Sequence, residues 1–328
     1  APAQAATVSL FAAPAAAGAG DCSSPADACT VDTAVTMANA ASVTDSVRIR
    51  LAAGTYALTS GGATALDITF AGPSLTLEAD GGTVVLDGQS TVRPLSIDAA
   101  SDVTIDGLQI KAGSTTGLGG GILNNGKLHV KHSTISNSAA ANGGGISNTA
   151  GATLTVEDST LTGNTSTSVG GGGVISFGTL TMTRSALTHN VAPVNGGGIN
   201  VQPGGIVAIT ASTLGNNTSG GLGGAISNLG TIAVQSSTIV GNGGTAGSAF
   251  ATGTTDATFA ADIIGLQASG EACSPVGTAF VDGGYNLDVD GTCISATDPA
   301  TGSHNGTTAY GASTYGAVLG AYLAGGLA

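Results

Sequence analysis

Apolar residues recur along this chain with a period of about 25 residues, which is typical of a stacked repeat. In each copy the first, third and eighth positions are apolar. The first two positions share one face of a strand, and the longer step to the third predicts a corner between two short strands. Stacked copies then form aliphatic ladders inside a tube, at about 4.8 Å per coil. The first ladder position is occupied in turn by Leu128, Leu154, Leu180, Val207 and Ile232.

A glycine-rich motif precedes each copy, from GGGI at Gly119–Ile122 to GGAI at Gly223–Ile226. Glycine permits positive φ and close approach of neighbouring coils, so the motif predicts a second corner. An asparagine ends each copy, and stacked amides are expected to hydrogen-bond along the solenoid axis. This polar ladder comprises Asn164, Asn190, Asn217 and Asn242, with Asn137 one residue early.

A stack of serines runs parallel to the asparagines. The sequence offers these serines no His–Asp partner, so it does not predict a serine nucleophile. The stack comprises Ser133, Ser159, Ser185, Ser212 and Ser237.

The repeats predict an all-β chain, folded as a right-handed parallel β-helix with coils of about 25 residues. We expect residues 1–45 to form an N-terminal strand and a capping segment, and residues 46–264 to form the coils. Residues 265–304 are predicted to be an irregular region that holds the second cysteine pair. Residues 305–328 carry no charge and are predicted to be a strand-like tail.

The capping segment has helical apolar spacing through Val31, Ala34, Val35 and Met37. A short amphipathic helix over 30–41 is therefore expected to cover the open first coil, as the ends of solenoids require.

Charge is sparse and acidic. Charged residues make up 8% of the chain, the net charge is −13, and none of the seven Lys and Arg follows Arg184. Binding to nucleic acid needs a basic surface and is excluded on this ground. No stretch of about 20 apolar residues is present, so no transmembrane segment is predicted.

The first residues, APAQAA, are typical of a mature N-terminus left by signal-peptide cleavage, which predicts a secreted, extracellular or cell-surface protein. Four cysteines allow three connectivities. A solenoid separates its two ends, so local pairing is expected, and an oxidising compartment permits it. The expected disulfides join Cys22 to Cys29 and Cys273 to Cys293.

The central coils offer little for catalysis. From Gly113 to Phe250 the only acids are Glu157 and Asp158, whose side chains we expect to diverge because they are adjacent on one strand. Lys131, Asp158 and Arg184 are assigned to matching positions on three coils and are interpreted as a surface charge ladder. No catalytic residue, metal ligand or cofactor is predicted, and Asp288 and Asp290 are assigned to a turn.

Two families of exported proteins resemble this chain. The GGAI and apolar-x-x-Asn motifs resemble the repeats of chlamydial polymorphic outer-membrane proteins, which are surface adhesins. The segments at 29–40, 51–59 and 283–293 resemble bacterial β-helix repeat proteins with a CSLREA-type N-terminal segment and a choice-of-anchor tail. Asp32 and Thr33 replace the charged Arg-Glu pair of that family. The resemblance implies an exported β-helix and no particular chemistry.

Together these patterns favour an exported, non-enzymatic structural or adhesive protein of the cell surface that self-associates, head to tail through the ends of the solenoid, or contacts a surface glycan. Two alternatives stay open. One is a carbohydrate-active β-helix enzyme, a polysaccharide lyase or hydrolase, and the other is a glycan-binding module without turnover. The enzyme alternative would use N-terminal acids, namely Asp80, Asp87, Asp98, Asp102 and Asp106.

Overall fold

The computed structural model describes residues 7–16, 18–59, 64–253, 257–275, 280–289, 291–293 and 303–305. It contains one α-helix, α1 (Val31–Asn39), a 3-10 turn at Pro25–Asp27 and a long series of short strands. The strands are β1 (Thr7–Ala12), β2 (Ser46–Ala57), β3 (Thr64–Ile68), β4 (Leu75–Asp87), β5 (Arg93–Ile97), β6 (Asp102–Asp106), β7 (Leu108–Lys111), β8 (Ile122–Asn124), β9 (Lys127–Lys131), β10 (Thr134–Ser136), β11 (Ala139–Ala140), β12 (Ile146–Asn148), β13 (Thr153–Glu157), β14 (Thr160–Thr162), β15 (Thr165–Ser166), β16 (Val174–Ser176), β17 (Thr179–Thr183), β18 (Ala186–Thr188), β19 (Val191–Ala192), β20 (Ile199–Val201), β21 (Ile206–Thr210), β22 (Thr213–Gly215), β23 (Thr218–Ser219), β24 (Ile226–Asn228), β25 (Thr231–Gln235), β26 (Thr238–Val240), β27 (Phe250–Thr252), β28 (Ala257–Ala260), β29 (Ile263–Ile264), β30 (Cys273–Pro275), β31 (Phe280–Asp282), β32 (Leu287–Asp288) and β33 (His304–Asn305).

The strands stack in three parallel sheets, so the chain is an all-β parallel β-helix, as the repeats predicted. The largest sheet, here sheet A, has 20 strands and contains both the long strand and the first short strand of each central coil. Sheet B has nine strands and begins at β3, and sheet C has four, namely β11, β15, β19 and β23. The ladder residues Leu128, Leu154, Leu180, Val207 and Ile232 pair in register along sheet A and are buried.

The two bends on either side of the first short strand of each central coil are each made by one residue with positive φ. In the coil after β13 these are Asp158, with φ 48°, and Gly163, with φ 66°. The residue after each bend points inward and is polar and buried, Ser159 after the first and Asn164 after the second. The corner predicted from the apolar spacing is therefore a left-handed residue followed by an inward polar side chain.

The glycine motif lies at the corner between sheets C and B. A Cβ on Gly144 would lie 2.4 Å from the backbone oxygen of Thr165 in the next coil, so glycine is required there. The coil before the first glycine motif has an arginine at the position that glycine holds in the later coils. Leu95 pairs with Ile122, which places Arg93 beside Gly120. The Arg93 guanidinium donates to the carbonyl oxygens of Leu118 and Gly119 at 2.7 and 2.8 Å.

The N-terminal edge of the helix is covered by α1 and a disulfide. Thr30 caps α1 by accepting a hydrogen bond from the backbone N–H of Thr33, and the helix packs on β1, β2 and β3. Its buried face holds Val31, Ala34, Val35 and Ala38, whereas Met37, predicted on that face, is 41% exposed. The Cys22–Cys29 disulfide forms as predicted, in a segment that bonds to the backbone of Phe11.

Parallel pairing continues beyond the predicted end of the coils at residue 264. Strands β30 to β33 extend sheets A and B, so the segment 265–304 is not wholly irregular among its described residues. Phe250, Phe259 and Phe280 pack edge-to-face or tilted in these coils, with centroids 5.1 to 5.9 Å apart. The second predicted disulfide, Cys273–Cys293, forms here. Residues 306–328 of the predicted tail lie outside the described residues.

No helix in the described part of the chain is long and apolar enough to cross a bilayer.

Candidate functional site

Most of the charged side chains of the central coils form one band on the outer face of sheet A. This charged strip runs across β2, β4, β6, β9, β13 and the corner after β17, so each member faces a partner on a neighbouring coil. It comprises Arg48, Arg50, Glu78, Asp80, Asp102, Asp106, Lys127, His129, Lys131, His132, Glu157, Asp158 and Arg184.

Ion pairs between successive coils connect the strip at its N-terminal end. Arg50 lies 2.6 Å from Asp80, and Arg48 lies 3.4 Å from Glu78. On the next coils Lys127 lies 3.7 Å from Asp102. Each cation is therefore neutralised by an acid from an adjacent coil, in a solvent-exposed setting where such pairs contribute little stability individually.

The C-terminal part of the strip contains a chain of four residues on successive coils, namely Asp106 at the end of β6 and the first-bend residues His132, Asp158 and Arg184. His132 Nδ1 lies 2.8 Å from Asp106, and its Nε2 lies 4.0 Å from Asp158. Arg184 Nε donates to Asp158 at 2.9 Å and Nη2 at 2.8 Å. The hydrogen bond to Asp106 raises the pKa of His132, and the hydrogen bond from Arg184 lowers the pKa of Asp158.

The structure corrects two predictions here. Lys131 pairs in register with Glu157, so the residue level with Asp158 and Arg184 is His132 and not Lys131. Glu157 and Asp158 do not diverge, because Asp158 leaves the strand with positive φ and its side chain turns toward the same partner. Both carboxylates bond to the Arg184 guanidinium.

A shallow, open groove of about 440 Å³ lies beside Asp158 and Arg184. The lowered pKa of Asp158 keeps this carboxyl ionised at neutral pH, so it is a poor general acid. Ser159 and Ser185 are buried, and their hydroxyls donate to backbone carbonyls of their own coils, so neither is an activated nucleophile. The groove is lined by Asp158, Ser159, Thr160, Arg184, Ser185, Ala186, Ala211 and Thr213.

The asparagines form a continuous interior ladder. The amide nitrogen of Asn164 donates to Oδ1 of Asn190 at 3.0 Å, and Asn190 and Asn217 repeat the contact with the next coil at 2.9 and 3.0 Å. Asn242 continues to Gln267. Asn137 lies outside the ladder: it is the exposed residue of the bend, and Ser138 takes the inward position.

The serine stack is a second interior ladder, in which each hydroxyl accepts a backbone N–H from the coil before it. The donor is Leu108 for Ser133 and the preceding serine for the later members. The backbone N–H of Ser159 donates to Ser185 at 3.1 Å, and the series reaches Ser237. Asp262 then replaces serine, accepting the N–H of Ser237 at 2.7 Å, and Asn286 and Ser303 follow. Burial raises the pKa of Asp262 to about 6. Sequence reasoning missed Asp262, although it stands 25 residues after Ser237.

A third interior ladder at the end of sheet B strands was also missed. Asn124 donates to Asn148 at 2.8 Å and Asn148 to Ser176 at 3.1 Å. Val201 interrupts the series, and beyond it Asn228 donates to Thr252 at 3.4 Å. The signal is a polar residue two positions after the inward apolar residue of the glycine motif, as in ISN. All these side chains are fully buried, so their role is to satisfy one another.

The N-terminal acids of the enzyme alternative are not gathered into one cleft. Asp80, Asp102 and Asp106 belong to the charged strip, and Asp87 lies 3.2 Å from Lys111 on the adjoining strand. Asp98 Oδ1 accepts a hydrogen bond from the backbone N–H of Ala99 in an exposed turn.

Metal ligation finds little support in the described residues. Within them, no group of three or more His, Cys, Asp and Glu side chains could hold a metal ion. Asp288 is buried and accepts the backbone N–H of Cys293 at 2.7 Å, whereas Asp290 lies outside the described residues.

Comparison with known proteins gives the fold and no family. No family model matches the chain, and no curated protein matches it. The structure is similar to the crystal structure of pectate lyase Pel9A, with a TM-score of 0.53 and 15% sequence identity over 79% of this chain and 70% of that one. At this identity the likeness shows a shared parallel β-helix and nothing about chemistry, and the finer resemblance to CSLREA-type and adhesin repeats stays a prediction.

Proposed function

We propose that this chain is an exported, non-enzymatic structural or adhesive protein of the cell surface. One observation carries the proposal: the cations of the charged strip are each held by an acid of a neighbouring coil. A catalytic strip would keep at least one carboxylate or base free to meet substrate, with a pKa near the working pH. Here the contacts link coil to coil, which is what a stiff scaffold requires.

The interior supports the same function. Three polar ladders run along the axis, and their side chains bond to one another and to the backbone instead of pointing into a cleft. Two disulfides lie near the ends of the described solenoid and suit an oxidising, extracellular setting. Self-association and contact with a surface glycan belong to this proposal, since an exported rod needs a partner in order to act.

The proposal is tested by incubating the full chain with neutral and acidic polysaccharides and measuring binding and cleavage separately. We expect no cleavage. Bond cleavage that is lost on Asp106→Asn and retained on Asp32→Asn would overturn the proposal. Asp32 is the control because it is an exposed acid of α1 and does not belong to the acids of the enzyme alternative. Binding without cleavage supports an adhesive role.

A carbohydrate-active enzyme is the second candidate, favoured by the groove beside Asp158 and by the raised pKa of the neighbouring His132. Pectate lyase Pel9A, whose structure is similar to this one, shows that an enzyme can have this fold. In that case His132→Gln should slow cleavage strongly and remove one limb of the pH profile of the remaining activity. The same substitution at His189, an exposed bend residue in the coil of Arg184, should do neither.

A further inference from the structure

One side of the solenoid contains no ionisable side chain over five successive coils. The segments that build sheets B and C and their connecting loops in these coils contain no Asp, Glu, Lys, Arg, His, Cys or Tyr. We call this surface the uncharged side. Soluble surfaces normally carry charge on about a quarter or more of their residues. The uncharged side comprises residues 138–148, 163–178, 190–205, 216–230 and 241–253.

Apolar side chains are exposed in the middle of this side. Val169, Val191 and Val194 are each 43 to 44% exposed and come from two neighbouring coils. Val191 pairs with Thr165 and Thr218 across sheet C. No Asp, Glu, Lys or Arg lies in the segments that carry these valines, and the ionisable side chain nearest to them in sequence is His189, two residues before Val191. An exposed apolar group of this kind resembles the centre of an interface more than ordinary surface.

The backbone under these valines is held in place. The N–H of Asn195 donates to the carbonyl oxygen of Val169 at 2.8 Å, and the N–H of Leu222 donates to that of Val194 at 2.8 Å. The loops therefore stack in register like the strands, and a partner would meet a preformed surface, which lowers the entropic cost of binding.

We propose that a second copy of this chain packs laterally on the uncharged side, through a two-fold contact centred on Val191. The argument is electrostatic: at a net charge of −13 two copies repel each other, and on this side neither copy presents an acid at short range. A two-fold contact is self-complementary, so valines meet valines and the threonines of sheet C form a polar rim. The inference rests on the self-association in the proposed function and names its surface.

The test compares two double variants that add the same charge to opposite sides. Val191→Glu with Val194→Glu alters the proposed contact, and Thr181→Glu with Thr183→Glu alters the outer face of sheet A, where both threonines lie outside the ladder. Sedimentation equilibrium of the full chain measures association between about 0.05 and 0.5 M salt. We expect the unmodified chain to associate more tightly as salt rises, since salt screens the repulsion.

The valine variant should weaken association by about 100-fold or more, because two carboxylates per copy would be buried without partners. The threonine variant should change it by about threefold or less, and unchanged melting of both would show that the fold is intact. In addition, Val191→Cys should form a disulfide-linked dimer on oxidation, since the native cysteines are already paired, whereas Thr181→Cys should not.

A monomeric chain at all salt concentrations would overturn the inference, as would an equal loss in both double variants. Association that survives the valine variant but is lost on removal of residues 306–328 would overturn it in favour of head-to-tail contact. Polysaccharide cleavage by the unmodified chain would overturn the proposed function and would not by itself alter the result of the association test.

Discussion

The carboxylate of Asp262 accepts a hydrogen bond from the backbone N–H of Ser237 at 2.7 Å, where the five preceding members of the ladder use a serine hydroxyl. Its second oxygen accepts the N–H of Ala260 at 3.0 Å, and the residue is 1% exposed. The ladder thus carries one buried charge near its C-terminal end. Desolvation outweighs the two hydrogen bonds and raises the pKa of Asp262 to about 6.

This pKa makes the stability of the C-terminal coils depend on pH. The native pKa lies above the unfolded value of about 3.9, so the folded chain binds the proton more tightly. Stability should fall as pH rises from about 4 to about 6 and stay lower above. The free energy of unfolding of Asp262→Ser, measured relative to that of the unmodified chain, should therefore rise by on the order of 2 kcal/mol between pH 4 and pH 7.

Chemical denaturation at the two pH values measures this gain. Ser212→Ala is the control, because it removes a ladder hydroxyl without a titrating group, and its effect should be the same at both values. A difference between Asp262→Ser and the unmodified chain that does not change with pH would contradict the prediction.

The asparagine ladder should be a main source of stability. Asn190→Leu leaves the side-chain and backbone N–H groups of Asn164 without their acceptor and should cost about 2–4 kcal/mol. Asn137→Gly, which keeps the positive φ of an exposed bend outside the ladder, should cost less than about 1 kcal/mol. Equal losses of free energy of unfolding for both variants would show that the ladder has no special role.

The aliphatic ladder gives a sharper contrast. Leu154→Asp buries an unpaired carboxylate between two coils and should cost more than about 4 kcal/mol or prevent folding. Thr155→Asp, on the neighbouring residue of the same strand, faces outward and should be tolerated. Far-UV circular dichroism and thermal melting of the two variants check the facing of the strand, and the reverse order of stability would mean that the faces are exchanged.

Arg93 should behave unlike the arginines of the charged strip. Its guanidinium is buried, and it donates to the carbonyls of Leu118 and Gly119, which begin the glycine corner. Burial lowers its pKa, but the group stays charged at neutral pH. Arg93→Ala should cost about 3 kcal/mol, since it leaves these buried carbonyls unpaired, whereas Arg48→Ala on the surface should cost less than about 1 kcal/mol. Thermal melting measures both, and equal effects would refute this role for Arg93.

The repeat period revealed the fold because each coil reuses the same inward positions: Leu128, Leu154 and Leu180 stand in one register in sequence and in space. The charged strip was harder to predict. A shift of 26 residues takes Leu128 to Leu154 and also Lys131 to Glu157, so the prediction that Lys131 matches Asp158 is wrong by one residue. The convergence of Glu157 and Asp158 depends on the positive φ of Asp158, which apolar spacing does not reveal.

Features that occur once were beyond the reach of repeat analysis. Arg93 occupies the position that is glycine in the following coils, and no neighbouring copy of the repeat has an arginine there. The coils past Ile264 were missed because the inward position held by Phe259 is taken by Asp282 in the next strand, which breaks the apolar pattern. Asp262 can be assigned to the serine ladder only when it is known that the serine side chains point inward and accept backbone N–H groups, because an aspartate carboxylate can take the same role.

The central claim is that the charged strip stabilises the stack of coils and does not turn over a substrate. The most direct measurement compares product release from polysaccharides with thermal melting for the unmodified chain and for the combined variant Asp106→Asn, Asp158→Asn. Removing the two acids takes both acid partners from His132 and leaves Arg184 with Glu157 alone, so we predict a lower melting temperature and the same absence of products from both chains. Products formed by the unmodified chain and lost in the variant would contradict the account.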